Sequence, residues 1–316
     1  MAPIRTGTCS WADESLVKYW YPKGVRSGEE RLRYYADHFD VVEANSTYYR
    51  LPDEELVAKW AERVPDGFVM HVKAFGMMTR HPVKADVLPP ELRDAAQVDE
   101  RGRINRPPRE LRAEVFARFH AALEPLRSAG KLGGILLQFP SYIVCKPLSF
   151  EYLEWAKEEL HGDHPLVEFR HRSWFEEENR ARVLSFLEEL GATHVVVDAP
   201  KTEAKNLVPT ILARTSPIVY VRMHGRNAKT WNIRGRSAAE RFDYLYSDAE
   251  LGDFVPAVRE LASDAKEAYV MFNNNGRSRA AGAADGRDGW ISQAPTNALM
   301  LQQILDPGER QSGSPG

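Results

Sequence analysis

Residues 165–171 read PLVEFRH, and the alternation within them sets the fold. Val167 and Phe169 are apolar, whereas Glu168 and Arg170 between them are charged. That is the two-residue period of a strand. In a closed barrel one set of strand side chains meets the surrounding helices and the other meets the interior. Val167 and Phe169 suit the helix side, so Glu168 and Arg170 point inward.

Working outward, similar runs recur along the chain. They are IRTGTCS near residue 4, VVEANST near 41, FVMHVKA near 68, GGILLQFP near 133, THVVVDAP near 193, IVYVRMHG near 218 and EAYVMFNNN near 267. Amphipathic helical patterns separate them: Glu29 to His38, Glu54 to Arg63, Arg109 to Ser128, Phe150 to Leu160, Glu177 to Leu190, Asp248 to Ser263 and Pro295 to Leu305. Asp53, Ser149 and Ser247 stand at N-cap positions. The stretch after Asp198 is the weakest in helical character, with a short helix expected over Asn206 to Leu212. Strands alternating with helices predict a parallel sheet, and eight units over this length predict an α/β fold, a single (β/α)8 TIM barrel. A doubly wound open sheet is the alternative, but no GxGxxG or Walker-type loop follows the first strand. Long loops after strands 3 and 7, Gly76 to Pro108 and Arg226 to Ser247, lie on the functional face of such a barrel. Residues 1–305 read as one barrel domain and 306–316 as a disordered tail rich in Pro, Gly, Ser and charge.

The chain has 316 residues, 43% hydrophobic and 28% charged, with a net charge of −3. This is the balance of an ordinary globular protein and supplies no global basic field. Two cysteines, Cys9 and Cys145, are too few for a disulfide framework and form no CxxC pair. No apolar run reaches the roughly 20 residues needed to span a bilayer, and the start lacks a signal-peptide pattern. The expectation is a cytoplasmic protein with no membrane association; the oligomeric state is left open, a monomer being compatible with the sequence.

The same parity places Glu43 and Asn45 inward in the second strand, His71 and Lys73 in the third, and Gln138 in the fourth. It places Asp198 inward in the sixth, Tyr220, Arg222 and His224 in the seventh, and Asn273 and Asn275 in the eighth. The first strand, with Thr6, Thr8, Cys9 and Ser10, is ambiguous. Barrel interiors are usually filled with branched apolar side chains, so a polar set near the strand ends points to a ligand site. The competing reading is a buried ion-pair layer, with Glu168 against Arg170 or Arg222.

Lys73, Arg170 and Arg222 are the anion-binding candidates, because the guanidinium fork matches carboxylate and phosphate. Glu168 and Asp198 are the acid/base candidates, with His224 beside them. Glu43, Asn45, Gln138 and Asn273 would orient the substrate. Trp11 and Trp174, with Trp20, Tyr48, Tyr49 and Phe175, follow strands and would line a pocket or pack in the core. Arg226, Lys229, Arg234, Arg236 and Arg241 add positive charge after the seventh strand, around Trp231. Glu168, Asp198 and His224 would also suit a divalent Zn, Mn or Mg ion. Arg170 and Arg222 neutralise that region, however, and Asn273 stands where a fourth acid would help, so no metal ligands are assigned. Cys9 reads as a small buried thiol rather than a nucleophile.

These motifs resemble the domain-of-unknown-function 72 family, also called YecE-like proteins. The resemblance rests on GTCSW at Gly7–Trp11, YWYPKG at Tyr19–Gly24, and Arg31, Tyr34 and Tyr35. It continues through VEANSTYYRLP at Val42–Pro52, FVMHVKA ending at Ala74, LLQFP at Leu136–Pro140 and VEFRHRSWF at Val167–Phe175. VVVDAP at Val195–Pro200, YVRMHG at Tyr220–Gly225 and YVMFNNN at Tyr269–Asn275 complete it. It implies a TIM barrel and no agreed activity; similarity to endonuclease-like and sugar-isomerase-like barrels suggests phosphodiester or sugar chemistry. The Gly76–Pro108 segment looks expanded relative to the family pattern.

Residues and resemblance together point to an enzyme, hydrolase-like or phosphodiesterase-like, acting on an anionic, phosphate-bearing small molecule or nucleic-acid end. The alternatives are a nucleic-acid-binding module without catalysis, with Trp231 stacking and arginines on the backbone, and a sugar-isomerase-like enzyme.

Overall fold

Each apolar run forms a strand. β1 is Ile4–Thr8, β2 Val41–Ala44, β3 Val69–Lys73 and β4 Leu132–Gln138; β5 is Pro165–Glu168, β6 Thr193–Asp198, β7 Ile218–Met223 and β8 Glu267–Phe272. In the computed structural model, which describes residues 1–202, 204–231, 238–280 and 289–306, they close a barrel in the order β1-β8-β7-β6-β5-β4-β3-β2. The registered pairs are parallel. This is the (β/α)8 TIM-barrel architecture.

The crossover helices are α1 (Gly28–Ala36), α2 (Glu54–Arg63), α3 (Arg109–Ala122), α4 (Pro147–Glu159), α5 (Glu177–Glu189), α6 (Asp248–Ala262) and α7 (Gln293–Leu305). Asp53 caps α2 by accepting from Leu56 N, and Ser247 forms a capping box on α6 with Glu250. Ser27 does the same on α1 with Glu30. Ser149 does not cap. α4 begins at Pro147, whose missing N–H costs nothing in a first turn, and the Ser149 hydroxyl donates to Val144 O instead. The Arg109–Ser128 helix also divides: α3 ends before Leu123, and a short helix over Glu124–Ser128 restarts with Pro125 in its first turn.

The sixth crossover differs from the others. Among the described residues between β6 and β7 there is no helix, so the short one expected over Asn206 to Leu212 does not form. Two small antiparallel ribbons lie outside the barrel, Val83–Lys84 with Arg103–Ile104 and Arg277–Arg279 with Trp290–Ser292. The Gly76–Pro108 loop is therefore built of short elements, including a helix over Pro90–Asp94. Residues 307–316, nearly all of the expected tail, lie outside the described residues.

The chain divides into two compact units, with boundaries inside β2 and β6. The second unit holds β3, β4 and β5. Within it a bulge sets Gly133 and Gly134 of β4 opposite His71, as the register passes from Met70↔Leu132 to Val72↔Ile135. A Cβ on Gly133 would lie 2.5 Å from His71 Cε1 and 2.5 Å from Val69 Cγ1, so only glycine fits there. Lys131, before the bulge, donates to Ala61 O and Val64 O at 2.8 Å, satisfying carbonyls at the end of α2.

The first unit holds β1, β7 and β8, and it resolves the ambiguous first strand. Thr6 Oγ1 donates to Ala298 O of α7, and Thr8 Oγ1 to Tyr35 Oη of α1. Both threonines therefore face helices, and Arg5, Gly7 and Cys9 take the other face.

Candidate functional site

In the second unit, four of the expected residues join in one chain of hydrogen bonds. Gln138 and Glu168 are registered neighbours on β4 and β5, so their side chains leave the same face. Lys73 is registered with Leu136, two residues before Gln138. Lys73 Nζ donates to Gln138 Oε1 at 2.8 Å, and Gln138 Nε2 donates to Glu168 Oε1 at 2.8 Å. Arg170 Nη1 donates to the same oxygen at 3.0 Å. The amide can adopt only one orientation between an ammonium and a carboxylate. Glu168 is fully buried, while Lys73, Gln138 and Arg170 are half-buried. One carboxylate is thus reached by two cations, by Arg170 directly and by Lys73 through the Gln138 amide. The opposite parity holds as expected: Phe139 packs against Tyr152 of α4, and Phe169 stacks on Trp174.

His81 and Tyr48 extend this group, and neither stood among the expected site residues as a ligand to it. Lys73 Nζ lies 4.6 Å from the centre of the Tyr48 ring, and Tyr48 meets the His81 ring edge-on at 5.2 Å. Burial, then the charges of Lys73 and Arg170, push the His81 imidazole down to about 3. His81 is therefore neutral near pH 7, with Nδ1 2.9 Å from Thr79 Oγ1.

Asp198 is corrected by the register. Thr193 is paired with Leu166 and His194 with Val167. Paired residues share a face, so His194 follows Val167 to the helix side, and alternation carries Val196 and Asp198 there too. His194 accordingly meets Phe175, in the loop after β5, at 5.0 Å. The sequence reading had set Val195 and Val197 on the helix side because they are apolar. The partners of Asp198, Arg226 and Tyr246, come from the loop after β7, so a polar side chain is satisfied on this face.

Asp198 belongs to the first unit. Arg226 Nε donates to Oδ2 at 2.9 Å and Nη2 to Oδ1 at 3.0 Å, while Tyr246 Oη donates to Oδ2 at 2.6 Å. Gly225 N donates to Tyr246 Oη at 2.8 Å. Burial, then the Asp198 charge, raise the Tyr246 phenol well above its usual range, so it remains a donor. Both carboxylate oxygens are thus held by side chains of the loop after β7.

His224 and Asn273 do meet: Asn273 Nδ2 lies 2.9 Å from His224 Nδ1. His224 is fully buried and stacks on Phe242 at 5.2 Å, with Trp231 at 6.2 Å. Trp231 is buried and does not offer the stacking face that the binding-module reading requires. Arg222 and Glu43 are fully buried in the strands, and Asn45 is half-buried at the end of β2. Trp11 is buried, its carbonyl accepting from the Tyr21 hydroxyl. Trp174 is core: no part is exposed, and its indole N–H donates to Ile143 O. Cys9 is fully buried, and neither cysteine forms a disulfide. Arg226 is committed to Asp198 and Glu250, Lys229 is exposed, and Arg234 and Arg236 lie outside the described residues. Among the described residues, no group of three or more His, Cys, Asp or Glu side chains is arranged to hold a metal ion. No described helix is long and apolar enough to cross a membrane.

The geometry defines a class: parallel eight-stranded barrels with charged side chains joined at the carboxyl ends of their strands. Within that class the chain belongs to the DUF72 family, described as a protein of unknown function, whose family model matches residues 5–313. It is similar to the UPF0759 protein YunF of Bacillus subtilis (strain 168), 33% identical over 283 residues, covering 88% of this chain and 91% of that protein. Among solved structures, a DUF72 family protein from Enterococcus faecalis V583 superposes with a TM-score of 0.73 at 26% identity, covering 96% of each chain. Another from Thermotoga maritima MSB8 has a TM-score of 0.70 at 30% identity, covering 96% of this chain and 99% of that one.

Proposed function

We propose that this protein is a hydrolase for small phosphate esters, with Lys73 and Arg170 binding the phosphoryl oxygens and Glu168 acting as general base. The carrying observation is the Lys73–Gln138–Glu168–Arg170 chain, two cations around one buried carboxylate at strand ends. In the reaction a water oxygen forms the new bond to phosphorus, Glu168 takes the water proton, and the ester oxygen leaves with its electron pair. Fixed cations stabilise the charge that gathers on the phosphoryl oxygens. The neutral His81 beside them adds no competing positive charge and keeps a hydrogen-bonding edge. Gln138 holds Glu168 and Lys73 in register.

The test is a screen of phosphomonoesters and phosphodiesters with the purified protein, followed by variants on whichever ester turns over. Glu168→Gln keeps the shape and removes the base, and its kcat should fall by about 10²–10⁴. Lys73→Met should raise KM. A fully active Glu168→Gln protein, or a screen without turnover, overturns the reading. Inorganic phosphate should also raise the His81 titration midpoint measured by NMR, because an anion at Lys73 and Arg170 offsets their charge.

A further inference from the structure

A second concentration of positive charge lies in the second unit, where the ribbon after β3 faces the loop after β4. A hollow of about 320 Å³ opens there, lined by Arg80, Asn105, Arg106, Arg112, Tyr142 and Lys146. Four cations line it and no carboxylate does. None of the four forms an ion pair among the described residues. Other basic side chains of this protein sit beside acids, as Lys18 does with Glu14 and Arg118 with Glu91 and Glu114; what sets this hollow apart is that four cations share one lining without a carboxylate. Like charges gathered without acids repel one another, and a fold that keeps them together is suited to an anion.

Backbone conformation is independent support. Among the described residues only three non-glycine residues have positive φ, and two of them line this hollow: Arg80 at 66° and Arg106 at 58°. Side-chain-bearing residues adopt that region at a cost, and such strain gathers where a side chain must be aimed. The guanidinium groups are also supported from behind. Arg80 lies over the Tyr152 ring at 5.1 Å, and Arg112 over the same ring at 5.3 Å. Arg112 Nη2 donates to Pro107 O at 3.0 Å, and its buried Nε has no acceptor among the described residues. Tyr142 Oη donates to Arg80 O at 2.7 Å, tying the loop after β4 to the strained residue.

We infer that this hollow is a binding site for a di- or triphosphate group. Arginine forks match phosphate oxygens in pairs. The volume falls within the roughly 300–1,000 Å³ of small-molecule sites, and a single orthophosphate would leave several of the four cations unpaired. None of the lining residues belongs to the Lys73–Gln138–Glu168–Arg170 group, so the site stands whatever reaction Glu168 performs.

Calorimetric titration in the presence of a chelator tests it, with inorganic phosphate, inorganic triphosphate and a nucleoside triphosphate as probes. Inorganic triphosphate should bind saturably and at least about tenfold more tightly than phosphate, one further cation contact being worth that much. Tighter binding of the nucleoside triphosphate would show that a nucleoside contributes; equal binding would show that the phosphates suffice. The Arg106→Ala/Lys146→Ala double variant, altered only at exposed side chains, should lose about tenfold or more. Arg80→Gly should weaken binding while holding its thermal midpoint, since glycine accepts that φ. Lys73→Met should leave triphosphate binding unchanged. No saturation at about millimolar triphosphate, binding indifferent to the double variant, or binding abolished by Lys73→Met would each overturn the inference.

Discussion

Acidification should destabilise this protein, and His81 is one of the groups that set the slope. The folded imidazole is pushed to about 3, chiefly by burial and then by Lys73 and Arg170, whereas an unfolded histidine titrates near 6.5. Between those values the unfolded chain binds a proton that the folded protein does not, so stability falls as pH falls. His164, lowered to about 4 by burial, acts in the same direction from about 6.5 downward. Asp13 acts oppositely: burial raises its carboxyl to about 6, so the folded state holds an extra proton between about 3.8 and 6. For these three groups, one proton from each histidine less one from Asp13 leaves a net of one between about pH 6 and 4, or roughly 1.4 kcal/mol per pH unit; burial also lowers His171 and adds in the same direction. His81→Asn, which keeps a polar atom toward Thr79, removes one proton and should flatten that region. At pH 5 the contribution of His81 is about 2 kcal/mol, being 1.5 units at about 1.4 kcal/mol each. Urea unfolding of both proteins at fixed ionic strength between pH 7 and 4.5, read as midpoint shifts at constant m, measures it. Parallel curves for parent and variant would refute the reasoning, because His81 would then titrate alike in both states.

Gly133→Ala drives a Cβ to 2.5 Å from two side chains and should cost about 1–3 kcal/mol. Gly24→Ala, where a Cβ meets nothing within 4 Å, should be near neutral; equal melting midpoints for the two would count against the bulge as described. Tyr246→Phe removes a donor to Asp198 and an acceptor for Gly225 N, and about 1.5–3 kcal/mol should be lost in chemical denaturation. If Asp198 is an anchor only, the same variant keeps the kcat of the parent on any ester found to turn over; a fall matching that of Glu168→Gln would restore Asp198 to the chemistry.

The barrel is legible because its strands are short β-branched or aromatic runs separated by amphipathic helices, a local signal. Parity reached Lys73, Gln138, Glu168 and Arg170 one strand at a time, and the structure joins them. It failed at β6, where Val195 and Val197 face the interior and Asp198 faces a loop. Apolarity marks the helix side only where no loop supplies polar partners, and nothing local announces that Arg226 and Tyr246 return to Asp198. The cap on α4 was misplaced for a similar reason, since Ser149 is a good capping residue but Pro147 is a better first residue. Arg80, Arg106 and Lys146 are separated by 26 and 40 residues in sequence, so their convergence needed the fold. The left-handed conformations of Arg80 and Arg106 carry no sequence mark at all, because arginine is not a residue that favours them.

The overall charge of −3 and the two cationic sites are compatible because the acids are placed elsewhere. Glu29, Glu55 and Glu114 are spent on exposed helical partners one turn away, where each pair contributes little. At physiological ionic strength a charge is felt over about 8 Å, so a ligand at the strand ends or in the hollow responds to nearby cations and hardly to the distant acids. The distinction bears on ligand size. A long polyanion samples a wide surface and meets the net negative field, whereas a compact phosphate ester or triphosphate needs only the few groups within one screening length. Arg80 and His81 show how finely the chain separates such groups: one lines the hollow, while the next residue is held neutral beside Lys73 and Arg170. Two small anion sites, rather than one extended nucleic-acid track, are what this placement of charge supports.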